Sequence, residues 1–483
     1  MPKPIKTWWT DLEGDFSGKR CKQLFCTHFN LRNLYTDGCT TSLPYNGRDI
    51  GPAAGNWTRV LKLANEDSVF CDTSSKKKHS IDPANGCNER TCRDIDVTTF
   101  GNLCVDIVLN VPTLPPATYD EKLAYMNSLA ISLPGETFWE AGGNSNFAIA
   151  AARLGLHCAA LGHVGYEKFG SFLHEVLEKE GVQVIRLEEE DIQEETLVCW
   201  VLVDSNHRHG FCSRFDFNKD PAFTWIKELP VCAKETILRS KVLFFNGFLF
   251  DELTPDMITL AVDFANETGC VVFFDPGPRG NSLCKGPVSQ QQALRKLLSC
   301  SDVLLLTADE AKALTGLEDP VLSAKDLLAK GKRTKWVIVK LGERGCLMTT
   351  AHNVYQVPAF KVDIKDTVGC GDSFAAAIAL GYTRKLPIVS MLALANAVGA
   401  ATAMGCGAGR NVATLNDVTN ILLSSNVCGD CYVFDEVQAI SSQQLTKVGI
   451  PQTPSAKSNM PFHLITREAA NLLLNSAQTS SCT

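Results

Sequence analysis

The stretch Asp366 to Asp372 (DTVGCGD) runs directly into the small and apolar residues Ser373 to Tyr382. Gly369, Cys370 and Gly371 do not comfortably prolong a strand, and the run after them reads as a buried helix. They therefore form a tight turn that opens a helix. Backbone N–H groups gathered there, together with the positive end of the helix dipole, make an anion site suited to phosphate. A carboxylate at Asp372 is repelled by a bound phosphate. It can, however, take the proton from a hydroxyl that attacks phosphorus. The plain alternative is a capped helix start in which Asp372 accepts N–H bonds.

Other polar groups cluster earlier in the chain. Gly101 and Asn102 end a strand, Asp106 follows, and Gly142, Gly143, Asn144 and Asn146 open a small-residue helix. Asn offers a donor and an acceptor and Asp two acceptors, which suits vicinal hydroxyls of a sugar. Each also has a structural use, as turn former or cap. The elements that position these groups begin at Val97. VTTFGNLCVDIVLNV is strand-like, LVCWVLVD and SRFDF read as antiparallel strands, and KVLFFNG, CVVFFDPG, DVLLLT and WVIVKLG are short apolar strands separated by helical stretches. Buried strands alternating with amphipathic helices predict a three-layer α/β domain over 96–425 with a mostly parallel central sheet. Strands within about 104–140 and 196–217 fall outside the alternation and predict a small β-lid over the sheet's carboxyl edge.

The flanks differ. Residues 1–95 lack sustained periodicity and read as a poorly ordered extension, either a transit segment with a plastid address or a cytosolic arm. The early acids Asp11, Glu13 and Asp15 argue against the transit segment. Residues 426–483 read as an extension with one amphipathic helix, whose Ile465, Ala469, Leu472 and Leu473 make a docking face.

The 483 residues carry 45% hydrophobic and 20% charged residues, ordinary for a globular protein. A net charge of −7 argues against a nucleic-acid partner. No run approaches the roughly 18 apolar residues of a membrane helix, and the first dozen residues lack the apolar core of a secretory leader. The 20 cysteines then imply free thiols in a reducing compartment. Cys428 and Cys431 form a lone CxxC pair, more in keeping with unrelated thiols than with a redox centre.

DTVGCGD resembles the second signature (DTxGAGD) of the ribokinase-like (PfkB) carbohydrate kinases, with Cys370 for Ala. The Gly142–Asn146 segment is similar to the first signature, one residue short. The resemblance covers roughly residues 96–412. It implies ATP-dependent transfer of a γ-phosphoryl group to a sugar hydroxyl, with Asp372 as general base and Gly369, Cys370 and Gly371 supplying anion-hole amides. Asn102, Asp106, Gly142, Gly143 and either Asn144 or Asn146 would meet the substrate. Asp275 to Arg279 (DPGPR) resembles the family's DPNPR. Thr307 to Glu310 falls on NxxE, with Glu310 positioning magnesium through water. Lys340, Gly342 and Gly345 fall on TLGxxG, and Asn396 and Gly407 on the segment flanking adenine. Asp366 falls where some members hold potassium. The lid strands of such proteins often pair between subunits, which implies a homodimer.

The acceptor is a free sugar in the favoured interpretation, and a nucleoside in its near rival because Asn102 and Asp106 form GNxxxD. The other rival is a catalytically weak fructokinase-like scaffold in a plastid, working through thiol-dependent protein partners. The substitutions at Gly277, Thr307 and Cys370 favour that scaffold. The retention of Gly371 and Asp372 favours an enzyme.

Overall fold

The computed structural model describes residues 93–187, 194–205, 209–406, 408–424, 430–435 and 458–480. The arm over 1–92, Gly407 and Cys428 lie outside the described residues. In chain order the strands are β1 (Ile95–Phe100), β2 (Leu103–Asn110), β3 (Trp139–Gly143), β4 (Cys158–Gly162), β5 (Val182–Arg186), β6 (Leu197–Val203), β7 (His209–Ser213) and β8 (Ser240–Asn246). They continue as β9 (Val271–Asp275), β10 (Val303–Thr307), β11 (Trp336–Lys340), β12 (Cys346–Thr349), β13 (Asn353–Val357), β14 (Asp430–Asp435) and β15 (Ser458–Pro461).

An 11-stranded sheet runs in the order β15-β14-β13-β12-β11-β10-β9-β8-β1-β4-β5. It is parallel from β11 through to β5 and antiparallel from β11 outward to β15. Its central strands are apolar on both faces, because helices cover both. On β8, Val242 and Phe244 join one core cluster, whereas Leu243 and Phe245 join the other. The first cluster takes in helices Asn144–Arg153, Cys370–Thr383 and Ile388–Ala403; the second takes in Pro255–Glu267, Val288–Cys300 and Pro320–Lys330. The resulting architecture is a three-layer α/β fold with a mostly parallel central sheet and a separate small sheet.

That small sheet is four-stranded, ordered β3-β2-β6-β7. Its two faces differ sharply. Val105, Ile107, Trp139, Trp200 and Cys212 are buried in the first core cluster. The register sets Asp106 beside Glu140 and Cys199, and Val203 beside His209, so the other face carries both Asp106 and His209.

As expected, the strand from Val97 ends at Gly101 and Asn102, which both take positive φ, +70° and +53°, and the run continues as β2 in the small sheet. Two local features depart from the sequence expectations. Between β2 and β3 the chain forms a helix, Tyr119–Ala130. SRFDF contributes only Ser213 to a strand; Arg214–Asp216 is a 3₁₀ turn fixed by a reciprocal Ser213–Asp216 capping box.

The tail adds β14 and β15 to the main sheet, and helix Phe462–Ser480 packs on helix Ile388–Ala403. Ile465, Ala469 and Leu473 are buried and Leu472 is half-buried, so the expected docking face is engaged by the body of the same chain. Phe462 packs against Phe360 with the rings tilted by 42° and centroids 5.4 Å apart.

Two stability outcomes follow. Phe462→Ala empties a closed site and is expected to cost about 3–5 kcal/mol in chemical denaturation. Gly143 has φ +58°, and a Cβ there would lie 2.2 Å from the Asn102 carbonyl oxygen. Gly143→Ala is therefore expected to lose about 1–3 kcal/mol in the same measurement.

Candidate active site

Asp372 stands in the first turn of helix Cys370–Thr383, which opens at Gly369 with φ +77°. The left-handed residue turns the chain from the preceding loop into the helix, leaving the amides of the first turn without intrahelical partners. From Ser373 to Gly381 the helix is buried, with alanine at 375, 376, 377 and 379. These small side chains let it lie close against helices Asn144–Arg153 and Ile388–Ala403.

Helix Asn144–Arg153 begins at the end of β3, and its two asparagines do different things. The Asn144 side-chain amide donates to the carbonyls of Phe100 and Gly101, at 3.2 and 2.7 Å, which locks the β1–β2 break. Asn146 faces the other way. Its Nδ2 lies 3.5 Å from Asp372 Oδ2, and its Oδ1 accepts from the Gly409 amide at 2.7 Å. The chain thus turns Asn146 towards Asp372 and uses Asn144 as a brace.

Asn102 is held from behind by Glu252, which accepts from its backbone amide at 2.5 Å. Glu252 is buried, which pushes its carboxyl up to about 8. Asp106 lies against the Gly142 backbone so closely that a Cβ there would be 2.1 Å from Asp106 Oδ1. Only glycine leaves room for that carboxylate. Burial pushes Asp106 up to about 7, the bond from the Cys104 thiol works against this, and the charges of Asp372 and Glu140 add to it. Asp372 is likewise pushed up to about 7, first by burial and then by Asp275. Lys340 and the Asn146 amide oppose the rise.

Lys340, at the end of β11, holds Asp275 at the end of β9 with Nζ–Oδ2 of 2.6 Å. Its Nζ is also 3.4 Å from the point a Cβ on Gly371 would occupy. Burial works to lower the lysine pKa, but Asp275, Glu310 and Asp372 together raise it, so the ammonium stays charged. The Cys370 thiol is pushed up to about 12 by burial, Asp366 and Asp372, and is neutral at physiological pH.

The remaining candidates divide. Thr307 and Glu310 form a capping box: the Glu310 carboxylate accepts from the Thr307 amide at 2.7 Å, and the Thr307 hydroxyl accepts from the Glu310 amide at 3.3 Å. Burial and the Asp275 charge raise Glu310 above its ordinary value. Gly342 and Gly345 bracket the β11–β12 turn with positive φ. Asn396 is buried and donates to the Val357 and Pro358 carbonyls at 3.2 and 2.9 Å, away from the carboxylate cluster. Asp366 Oδ1 accepts from the Val368 amide at 2.9 Å and lies 2.8 Å from His209 Nε2.

Neither the contact from His209 nor the pair between Glu140 and Arg410 was visible in the sequence; the arginine Nε and Nη2 each lie 3.1 Å from the carboxylate. Both contacts join segments far apart in the chain. The capping box had a visible signal, a Thr three residues before a Glu ahead of an apolar run.

Among the described residues no cluster of three or more His, Cys, Asp and Glu side chains is built to hold a metal ion. Asp275 is taken up by the Gly277 amide and Lys340, but Glu310 keeps a carboxylate oxygen beyond its bond to the Thr307 amide, which fits a hydrated Mg²⁺ held through water and carried in with phosphates. Potassium fits poorly. The Asp366 oxygen it would need already faces the Val368 amide and the His209 imidazole. The arrangement as a whole can draw a proton from a hydroxyl in a water-poor cleft and gather negative charge at the Gly369–Gly371 turn.

Comparison with known proteins gives the family. The model of the pfkB family of carbohydrate kinases matches residues 102–414. The chain is 28% identical over 337 residues to "Probable fructokinase-4" of Arabidopsis thaliana, covering 68% of this chain and 96% of that one. It is 25% identical over 339 residues to "Probable fructokinase-6, chloroplastic" of the same plant, covering 68% and 83%. Among solved structures, a putative Ribokinase II from E. coli in complex with ATP and Mg²⁺ superposes with a TM-score of 0.53 at 21% identity, covering 68% of this chain and 99% of that one. No described helix is long and apolar enough to cross a membrane. The chain belongs to the pfkB family of carbohydrate kinases, phosphotransferases that take an alcohol group as acceptor.

Proposed function

We propose that this chain transfers the γ-phosphoryl group of ATP to a hydroxyl of a free sugar, with a fructose-like ketohexose as the first candidate acceptor. The observation that carries it is the convergence of Asp372, Asn146 and Asp106 at the Gly369–Gly371 turn, with Lys340 as the nearby positive charge. The names of the plant relatives support fructose.

In this reading the sugar lies on Asn102, Asp106, Asn146 and the Gly142–Gly143 backbone, under the small sheet. Asp372 takes the proton of the attacking hydroxyl, and the amides of Gly369, Cys370 and Gly371 receive the developing charge. Asn144 acts through the backbone it braces. Thr307, Lys340, Gly342, Gly345, Asn396 and Gly407 form the nucleotide side. Mg²⁺, with its water shell near Glu310, would neutralise phosphate charge when bound.

The catalytic unit covers 96–425 and is completed by the sheet strands and helix of the tail. The chloroplastic relative supports a plastid address for the arm over 1–95. The edge strand β7, with Phe211 half exposed at 53%, supports a homodimer through the small sheet.

The test is ATP consumption by the purified full chain with Mg²⁺ on fructose, ribose, other hexoses, adenosine, inosine and pseudouridine. One sugar is expected to be turned over. Asp372→Asn is expected to cut kcat by about 10²–10⁴-fold with ATP binding retained. Turnover of a nucleoside alone would overturn the sugar assignment, and an unchanged kcat in Asp372→Asn would overturn the general base.

A further inference from the structure

The small sheet is pinned to the body at its two edges. At β3, Arg410 grips Glu140 with two nitrogens, donates its amide to the same carboxylate at 3.1 Å, and reaches the Trp139 carbonyl at 2.9 Å. At the opposite edge, β7 sends His209 to Asp366, the first residue of the run that ends in Asp372. Both partners of this second contact are largely buried, at 15% and 9% side-chain exposure, so the pairing is little screened by solvent. Asp106 lies on β2, between the two pins, on the same face as His209.

Asp366 also shapes the anion turn. The oxygen that faces His209 accepts the Val368 amide, one residue before the left-handed Gly369. A group that holds this carboxylate therefore sets both the entry to the turn and the position of the small sheet above it. A monovalent cation could perform the first task but has no covalent link to the second.

We propose that His209 is a positioning residue: it occupies the place a monovalent cation would take on Asp366, and it ties the free edge of the small sheet to the anion turn. This rests on the kinase reading of the site. The imidazole Nε2 lies 2.8 Å from the carboxylate oxygen and is carried by β7, which pairs with the β6 strand beside Asp106. Closing the small sheet and ordering the turn become one event, and potassium is not required for it.

The test uses the full chain with saturating ATP and Mg²⁺ and the sugar found in the panel, in KCl, NaCl or tetramethylammonium chloride at equal ionic strength. Wild-type kcat/KM is expected to be the same in all three salts. His209→Ala is expected to raise the KM for the sugar about tenfold or more, with ATP affinity unchanged, and His209→Gln to restore most of the loss. Hydrogen exchange of β2 and β6 in the ligand-free protein is expected to quicken in His209→Ala and not in His209→Gln. A wild-type enzyme that fails without potassium, or an alanine variant with unchanged sugar KM and unchanged exchange, would overturn the proposal. If the wild type phosphorylates no sugar, the kinase reading fails, and the exchange measurement still decides whether His209 holds the sheet.

Discussion

Everything at this site depends on keeping carboxylates ionisable in a place that disfavours their charge. Asp106, Asp372, Asp275 and Glu310 lie close together with Lys340 as the cation among them, and burial raises Asp106, Asp372 and Glu310 before any neighbour acts. Each added negative charge raises the others, while the ammonium restrains the rise. The balance brings Asp372 to about 7, where a carboxylate is basic enough to take a hydroxyl proton and about half of it is ionised at neutral pH. Lys340 is fixed by Asp275 rather than left mobile, so its charge is set in place before any phosphate arrives.

The backbone is arranged around that balance. The paired left-handed residues Gly101 and Asn102 divert the chain from the main sheet into the small one, and Glu252 and Asn144 hold the break from either side. Gly142 yields room for Asp106, and Gly143 lets the Asn102 carbonyl approach. The carboxylates thus come from the small sheet, the main sheet's strand ends and a helix start. The core packing of all three sets their separation.

Much of this was legible in the sequence, and the losses have physical causes. DTVGCGD read correctly as a turn opening a buried helix, because glycine and a long run of small residues leave few other options. Alternating apolar strands and amphipathic helices were enough for the layered fold. The break at Gly101–Asn102 was legible because glycine followed by asparagine ends a strand readily. Asn144 and Asn146 could not be told apart, since a helix start sends neighbouring side chains in different directions and only the neighbours decide which one meets the cleft. His209 and Arg410 act across long sequence separations and left no local trace. The tail helix was legible as amphipathic, but its partner was not.

The departures from the family pattern fall within the same electrostatic scheme. Cys370 keeps its amide and stays protonated, so it adds no charge. Thr307 retains a cap while losing an amide side chain, and Lys340 brings a positive charge to the same neighbourhood. The most direct measurement is the titration of the Asp372 carboxyl carbon by ¹³C NMR in the ligand-free protein, assigned by its loss in Asp372→Asn, in wild type and in Lys340→Met. The account predicts a midpoint near 7 in wild type and a higher one without the lysine. A midpoint in the ordinary carboxylate range, or one that does not move when Lys340 is removed, would contradict it.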